Sequence, residues 1–364
     1  MSHKPVLMGV AEGLTLVCIA TFATSFLSAW SSAIDRATTA LWMLPLTNGC
    51  CGIIILYLLL YVLNHTSGDL CLACEELLGT LAARLIIIYY ISVSFLDAGL
   101  LLRQFAENTL ITALPEFPFE LIIGWYALII VIITYIGIES IARAGYMILL
   151  VIILSMLTVL VMLSSQYQWL YLAPWNGPGF AKVILTGIQS TGAIIGIIIP
   201  AILATSFQNI QTIKKAVLYG LGISSLIKSL TQAAFIATFG TEVAREKVLP
   251  FYELARLVYI NRYIQRIESL IILAWVITGI LNIAIAFYIG LYLLGRLFNL
   301  SDIRPFIIPI FLIITELAML PNEITAVIFL HSKAHFLFYN IGALVIPTVL
   351  FFAAMLRTRR QKAC

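Results

Sequence analysis

Hydroxyl-bearing and small residues interrupt two otherwise apolar segments of the chain. The interruptions are Thr21-Phe22-Ala23-Thr24-Ser25 and Gly187-Ile188-Gln189-Ser190-Thr191-Gly192. A helix that breaks in apolar surroundings leaves peptide groups unpaired, and a zwitterion can satisfy them with its carboxylate and its ammonium. Close helix packing through small residues, as in Gly192-x-x-x-Gly196, is the alternative interpretation. Substrate binding is predicted for Thr21, Phe22, Thr24, Ser25, Ser190, Thr191 and Gly192.

Two further polar pairs have helical spacing. Tyr90 and Ser94 lie four residues apart, as do Thr278 and Asn282, so each pair shares one helix face. We predict that these four side chains close the same pocket from facing helices. The alternative is that they bond a neighbouring helix or the carbonyl four residues earlier.

Charged residues within apolar segments are candidates for ion coupling, because burying a charge is costly. Asp97 and Lys228 are the deepest, and Lys228 is either a proton-responsive group or part of a fixed ion pair or water-lined cavity. Arg103 and Glu107 have the spacing of a structural ion pair.

No motif of enzymatic catalysis is present. The sequence lacks H-E-x-x-H, G-x-S-x-G and a Walker loop, and Cys71-Leu72-Ala73-Cys74 has no second ligand pair for zinc. His331 and His335 are interpreted as residues of a solvated loop rather than as metal ligands. We therefore expect no enzyme activity, no cofactor and no metal.

Composition predicts a membrane protein. Of 364 residues, 62% are hydrophobic and only 10% are charged, whereas a soluble domain carries roughly 25% charged residues. Since about 20 apolar residues cross a bilayer, the single domain 1–364 accommodates about ten helices. The net charge is only +4 and the basic residues form no stripe, so nucleic acid is not an expected partner.

Turn residues separate ten predicted spans, numbered 1 to 10 in chain order. Their ranges are 8–32, 40–63, 82–103, 119–137, 143–163, 181–206, 214–240, 268–297, 304–322 and 335–356. Lys and Arg are enriched on the side that holds both termini once the long loop 241–267 is set aside. The positive-inside rule therefore predicts cytoplasmic termini. Within the loop, Phe251, Leu254, Leu257 and Val258 form one apolar helical face that predicts a surface helix over the outer mouth.

Several motifs, in the same order and with similar spacing, resemble the spore germination permease family. They are Leu102-Arg103-Gln104-Phe105-Ala106-Glu107, Leu114-Pro115-Glu116-Phe117-Pro118, Gly137-Ile138-Glu139-Ser140-Ile141-Ala142-Arg143, Phe251-Tyr252-Glu253-Leu254-Ala255-Arg256-Leu257-Val258, Ile264-Gln265-Arg266-Ile267-Glu268 and Asp302-Ile303-Arg304-Pro305. One departure is Gly196-Ile197-Ile198, where many relatives have a glycine followed by an aromatic residue and an acid.

The resemblance implies an all-α integral membrane fold of the amino acid/polyamine/organocation superfamily. Its core would be a LeuT-like 5+5 inverted repeat with broken helices 1 and 6, in which Arg143 is a candidate to replace a coupling sodium ion. It also implies the B subunit of a nutrient germinant receptor in the spore inner membrane, with a larger A subunit and a lipoprotein C subunit. A small amino acid or similar nutrient is the expected ligand. An autonomous amino-acid transporter, and a channel or scaffold subunit whose partners hold the ligand, are the alternatives.

Overall fold

The computed structural model describes residues 7–27, 30–259, 268–321 and 323–363, and these residues form helices joined by short turns. No β-strand occurs among them, apart from an isolated bridge between Met8 and Phe207. Residues 28, 29 and 322 of predicted spans 1 and 9, and residues 260–267 of the long loop, lie outside the described ranges.

Six of the predicted spans each correspond to one α-helix. These helices are Met43–His65 (span 2), Thr80–Thr112 (span 3), Phe119–Ile136 (span 4), Ile138–Met162 (span 5), Ile210–Glu246 (span 7) and Glu268–Leu297 (span 8). The single residue Gly137, at φ 105°, separates spans 4 and 5. Only glycine adopts this conformation without a steric cost, so the chain changes direction here although both flanking segments favour helix.

Spans 1 and 6 are broken near their middles. Span 1 runs as the α-helix Val10–Phe22, tightens into the 3₁₀ turn Ala23–Phe26, and resumes at an angle of 81° with the helix Trp30–Ala37. Span 6 bends by 43° between the helix Phe180–Gln189 and a mainly 3₁₀ segment that continues to Ile202. The break in span 1 lies a few residues later than the polar cluster alone predicts, because Thr21 and Phe22 are still α-helical.

The last two spans differ from their predicted ranges. Span 9 contains an α-helix of only 13 residues, Ile307–Met319. Span 10 begins with the helix Ile324–Ala334, continues through π-helical segments at His335–Tyr339 and Ile341–Val345, and ends with Ile346–Ala363. The predicted start at 335 and the interpretation of His331 and His335 as loop residues are therefore wrong, because the segment from Ile324 onward is apolar enough to continue the helix.

The helices suit a lipid environment. Among the described residues, seven helices are long and apolar enough to cross a membrane, or nine if each bent pair counts as one span. Large apolar side chains cover the outside, with Leu81 and Met147 each 74% exposed. Water would penalise so much exposed apolar surface, whereas lipid does not.

Aromatic contacts join helices that are distant in the chain. The rings of Phe95, Phe287 and Phe311 join spans 3, 8 and 9, with centroids 5.9 and 4.7 Å apart. Phe26, at the end of the first half of span 1, lies 5.7 Å from Phe251 of the short helix Pro250–Arg256. A helix thus forms in the predicted loop, shorter than the predicted face because Leu257 and Val258 follow its end, and its buried side chains contact the turn Ala23–Phe26 at the span 1 break.

Candidate ligand-binding site

Lys228, midway along span 7, reaches the break in span 1. Its Nζ donates to the carbonyl oxygen of Thr21 at 3.2 Å and to the hydroxyl of Thr24 at 2.7 Å. The last carbonyls of an α-helix have no later N–H partner, and the helix dipole favours a cation beside them. Lys228 therefore caps the first half of span 1 at the point where the sequence predicts freed peptide groups.

A cavity of about 160 Å³ adjoins Lys228 and contacts both breaks. Its polar lining comes from spans 1, 2, 6, 7 and 10 and includes Thr24, Arg36, Asn48, Ser190, Gln232 and His335. Lys228 and Arg36 supply positive charge, and no Asp or Glu lines the cavity among the described residues. Such a cavity attracts an anionic group.

The break in span 6 is held by a side chain of span 10. The Oδ1 atom of Asn340 accepts the N–H of Gly192 at 2.6 Å, and its Nδ2 donates to the carbonyls of Gln189 and, at 3.0 Å, of Phe336. A Cβ at position 192 would collide with the carbonyl oxygen of His335. Asn340 thus pairs the peptide groups on both sides of the break, which the sequence analysis assigned to a ligand.

Four predicted residues meet at a second, smaller cavity of about 60 Å³ on the other side of span 6. Its polar lining consists of Tyr90, Ser94, Asp97 and Asn282. The hydroxyl of Tyr90 donates to the carbonyl of Gly342 in span 10 at 2.8 Å. Isoleucines of spans 6 and 8 supply most of the other lining, so this cavity is the more apolar of the two.

The remaining predicted binding residues are mostly engaged within their own helices. The hydroxyls of Thr21, Thr191 and Thr278 donate to carbonyls three or four residues earlier, and that of Ser190 donates to Gly187 and to the Asn48 side chain. Phe22 is completely buried. Ser25 is also buried, and its hydroxyl has no hydrogen-bond partner among the described residues. These placements match the packing alternative for the three threonines and leave Ser25 as an unpaired polar group beside the break.

The other intramembrane charges lie away from the breaks or pair locally. Arg143 approaches Glu12 at 3.7 Å, near the start of span 1 and nine residues before Thr21. The cation beside the span 1 break is thus Lys228. Arg103 and Glu107 form the expected ion pair at 3.0 Å.

Asp97 faces span 10, where it accepts the Tyr339 hydroxyl at 2.9 Å and lies 3.4 Å from His331. Sequence reasoning found neither of these partners of Asp97. A lone polar residue in an apolar stretch, such as His331, is the sequence signal for such a partner. The predicted start of span 10 at 335 left His331 outside the membrane.

The sequence profile of a family described as spore germination protein matches residues 8–327. Three solved structures illustrate the fold. A mutant of the manganese transporter of Eremococcus coleocola is 13% identical, with a TM-score of 0.63 over 98% of this chain and 78% of that one. MhsT in complex with L-phenylalanine is 13% identical, with a TM-score of 0.64 over 94% and 97%. Mhp1, a nucleobase-cation-symport-1 family transporter with bromovinylhydantoin bound, is 13% identical, with a TM-score of 0.59 over 97% and 96%.

No curated protein sequence matches significantly. The structural neighbours are transporters of the LeuT fold, with two inverted repeats of five helices. The predicted fold class is therefore confirmed: the chain is an all-α integral membrane protein with breaks in spans 1 and 6.

Proposed function

Because the chain belongs to the spore germination permease family, we propose that it is the permease-like B subunit of a nutrient germinant receptor. In this proposal it lies in the spore inner membrane with both termini in the cytoplasm. It assembles there with a larger A subunit and a lipoprotein C subunit. The family match and the membrane-spanning helices support the proposal.

The ligand we propose is a small amino acid or a similar zwitterionic nutrient, bound in the cavity beside Lys228. The observation that carries this proposal is the position of the Lys228 ammonium. Its partners, the Thr21 carbonyl and the Thr24 hydroxyl, are neutral, and no carboxylate lies within 4.0 Å of it among the described residues. A buried charge without a counter-charge is costly, and a ligand carboxylate supplies the missing negative charge.

Gln232 offers a partner for the other end of the zwitterion. It follows Lys228 by four residues on span 7, so the two side chains lie on one face and line one cavity. The Oε1 atom of Gln232 is buried and has no hydrogen-bond partner among the described residues. An ammonium group satisfies such an acceptor, whereas an anion lacking an ammonium does not. MhsT, a neighbour of the same fold, has been crystallised with an amino acid.

Ligand binding in this cavity would change the position of the span 1 break relative to the span 6 break. Thr24 and Ser190 belong to different breaks and line the same cavity. A ligand that contacts both sides more closely in one conformation stabilises that conformation by the difference in its affinities. We propose that this shift is the signal passed to the partner subunits.

The test measures thermal unfolding of the purified full chain in detergent with a panel of amino acids and with their decarboxylated analogues. At least one amino acid should raise the unfolding temperature, and its decarboxylated analogue should not. Lys228→Met should lower the affinity for that amino acid at least about tenfold, because a hydrogen bond to a charged group contributes roughly 1.5–3 kcal/mol. Lys182→Met, an exposed lysine at the start of span 6, is the matched control.

Equal stabilisation of wild type and Lys228→Met by the same amino acid would mean that its carboxylate binds elsewhere, and would refute the proposal that the cavity beside Lys228 is the ligand site. Spores carrying Lys228→Met should also fail to germinate with the amino acid that stabilises the protein. The autonomous transporter alternative predicts uptake with turnover in proteoliposomes. A channel or scaffold subunit predicts conductance without ligand, or no stabilisation by any amino acid.

A further inference from the structure

We infer that Asp97, His331 and His335 form a binding site for a divalent first-row transition-metal ion between spans 3 and 10. One ligand atom from each residue lies within 4.8 Å of the others. The inference does not depend on the proposed nutrient site: His335 also lines that cavity, but the ligand chemistry differs and neither Lys228 nor Gln232 is a metal ligand. We call these three residues the His–Asp cluster.

The distances in the His–Asp cluster match those of a coordination sphere. The two histidine Nε2 atoms are 3.0 Å apart, and Nε2 of His331 is 3.4 Å from Oδ1 of Asp97. In a tetrahedral zinc site with ligand bonds of about 2.0–2.1 Å, neighbouring ligand atoms are about 3.3 Å apart. Two of the three ligand pairs are therefore close to the separation that an ion requires, and the third pair, His335 and Asp97, lies within 4.8 Å and can close around an ion.

The hydrogen bonds around the cluster also suit a metal. A ligating histidine usually donates its second ring nitrogen to a fixed acceptor, which orients the ring. Nδ1 of His331 lies 2.8 Å from the amide of Gln104, which can present either its oxygen or its nitrogen. The Tyr339 hydroxyl orients the Asp97 carboxylate at 2.9 Å. His331 and Asp97 thus have outer partners on the sides away from the ion.

Without an ion, two neutral imidazoles that face each other through Nε2 can share only one proton between them. Nδ1 of His335 is buried and makes no well-formed hydrogen bond among the described residues. His331 is only 3% exposed. A divalent ion would take the place of this proton, which moves to Nδ1 of the same ring, and would accept a lone pair from each Nε2.

The donor set indicates which ions fit. Two imidazoles and one carboxylate suit zinc and its neighbours in the first transition row, and three protein ligands leave a fourth position open. Magnesium and calcium prefer oxygen ligands and are disfavoured. The Lys228 ammonium shares the larger cavity with His335 and opposes a cation, which lowers the affinity without blocking the site.

The cluster has access from both cavities. Asp97 lines the smaller cavity and His335 lines the larger one, so the cluster reaches both through these two ligands. The carbonyl oxygen of His335 also faces Gly192 in the span 6 break. A bound ion would therefore tie span 3 to span 10 beside that break.

The experiment titrates the purified full chain with Zn²⁺ by calorimetry and with Co²⁺ by visible absorption, after treatment with a chelator. We expect one ion per chain and a cobalt spectrum of low coordination number. Asp97→Asn, His331→Gln and His335→Gln should each lower the affinity by more than the roughly 10–100-fold typical of losing an outer partner. His65→Gln, which changes an exposed histidine at the end of span 2, should bind as wild type does.

The unfolding temperature of each chelated variant separates loss of the site from loss of the fold. If a histidine variant does not fold, the zinc affinity of Asp97→Asn, which keeps the size of the side chain, decides whether the cluster binds the ion. Unchanged zinc affinity in all folded variants, or no zinc binding by wild type, overturns the inference. Zinc binding with no response to any amino acid would refute the nutrient proposal and leave the metal site standing.

Discussion

Replacing Asn340 by leucine tests whether span 10 holds the break of span 6. Leucine has nearly the same size and keeps the helix, but it removes both hydrogen-bonding ends of the side chain. The Gly192 N–H and the Gln189 carbonyl then lose their partner. The loss should destabilise the protein although no residue of span 6 itself has changed.

The magnitude follows from the burial of the two peptide groups. Gly192 is buried, so its N–H loses its partner without access to solvent, at a cost of about 1–3 kcal/mol. Gln189 is half-buried and its carbonyl can bond to water instead, so losing its hydrogen bond to Asn340 costs about 0.5–1.5 kcal/mol. The sum is roughly 1.5–4.5 kcal/mol. With an unfolding entropy of about 2.1 cal/mol/K per residue, the unfolding temperature should fall by roughly 2–6 °C.

Two measurements check this prediction. The first is thermal unfolding of the purified chain in detergent, with Asn64→Leu as the matched control because Asn64 is exposed and bonds only its own helix at Leu60. That control should shift the unfolding temperature by about 1 °C or less. The second is amide hydrogen exchange, which should accelerate in peptides covering 186–196 and stay unchanged in peptides from the middle of span 5.

A shift in Asn340→Leu no larger than that of the control would show that the break is stable without span 10. Faster exchange throughout the chain, rather than at 186–196, would mean that the substitution weakens the whole fold. Either result would remove the physical basis for treating Asn340 as the clamp of this break.

Two further predictions concern the segment between spans 2 and 3, which holds the helix Leu70–Leu78. Burial raises the pKa of the thiols of Cys71 and Cys74 to about 12, so a maleimide should label both only after denaturation. Hydrogen bonds from Ser67, and then Arg357 at 3.0 Å, lower the pKa of the Glu76 carboxyl below its ordinary 4.5. A lowered folded-state pKa stabilises the protein above pH 4.5, and this contribution disappears as the pH falls through the folded pKa. The unfolding temperature of Glu76→Gln should therefore lie below that of wild type at neutral pH and converge with it under acid conditions.

The sequence predicts the breaks well because local chemistry causes them. Ser190 and Gly192 interrupt an apolar helix that is otherwise continuous, and small and hydroxyl residues are poor helix formers at such a point. The spacing of Tyr90 and Ser94 also predicts correctly that they share a face, since both line the smaller cavity. These features depend only on residues close together in the chain.

What the sequence does not predict is how distant residues meet. Asn340 lies 148 residues after Gly192, and His331 lies 234 residues after Asp97. Nothing local to either partner indicates the other, because the contact exists only once span 10 packs against spans 3 and 6. The sequence singles out Lys228 as an intramembrane charge but does not indicate that its side chain reaches Thr21 and Thr24, because the reach of a long side chain across helices is a tertiary property.

Span 10 couples the two cavities through its irregular middle. In a π-helix each N–H pairs with the carbonyl five residues earlier, a rare arrangement that is weaker than the α-helix and is frequent at functional sites. Two tyrosines of span 3 donate to carbonyls in this region, Tyr89 to Phe338 and Tyr90 to Gly342. Asn340, between those carbonyls, holds the span 6 break. If the span 6 break moves, the π-helical segment must therefore move with it or the hydrogen bonds of Asn340 must break. If the segment moves, span 3 must move as well or the hydrogen bonds of Tyr89 and Tyr90 must break.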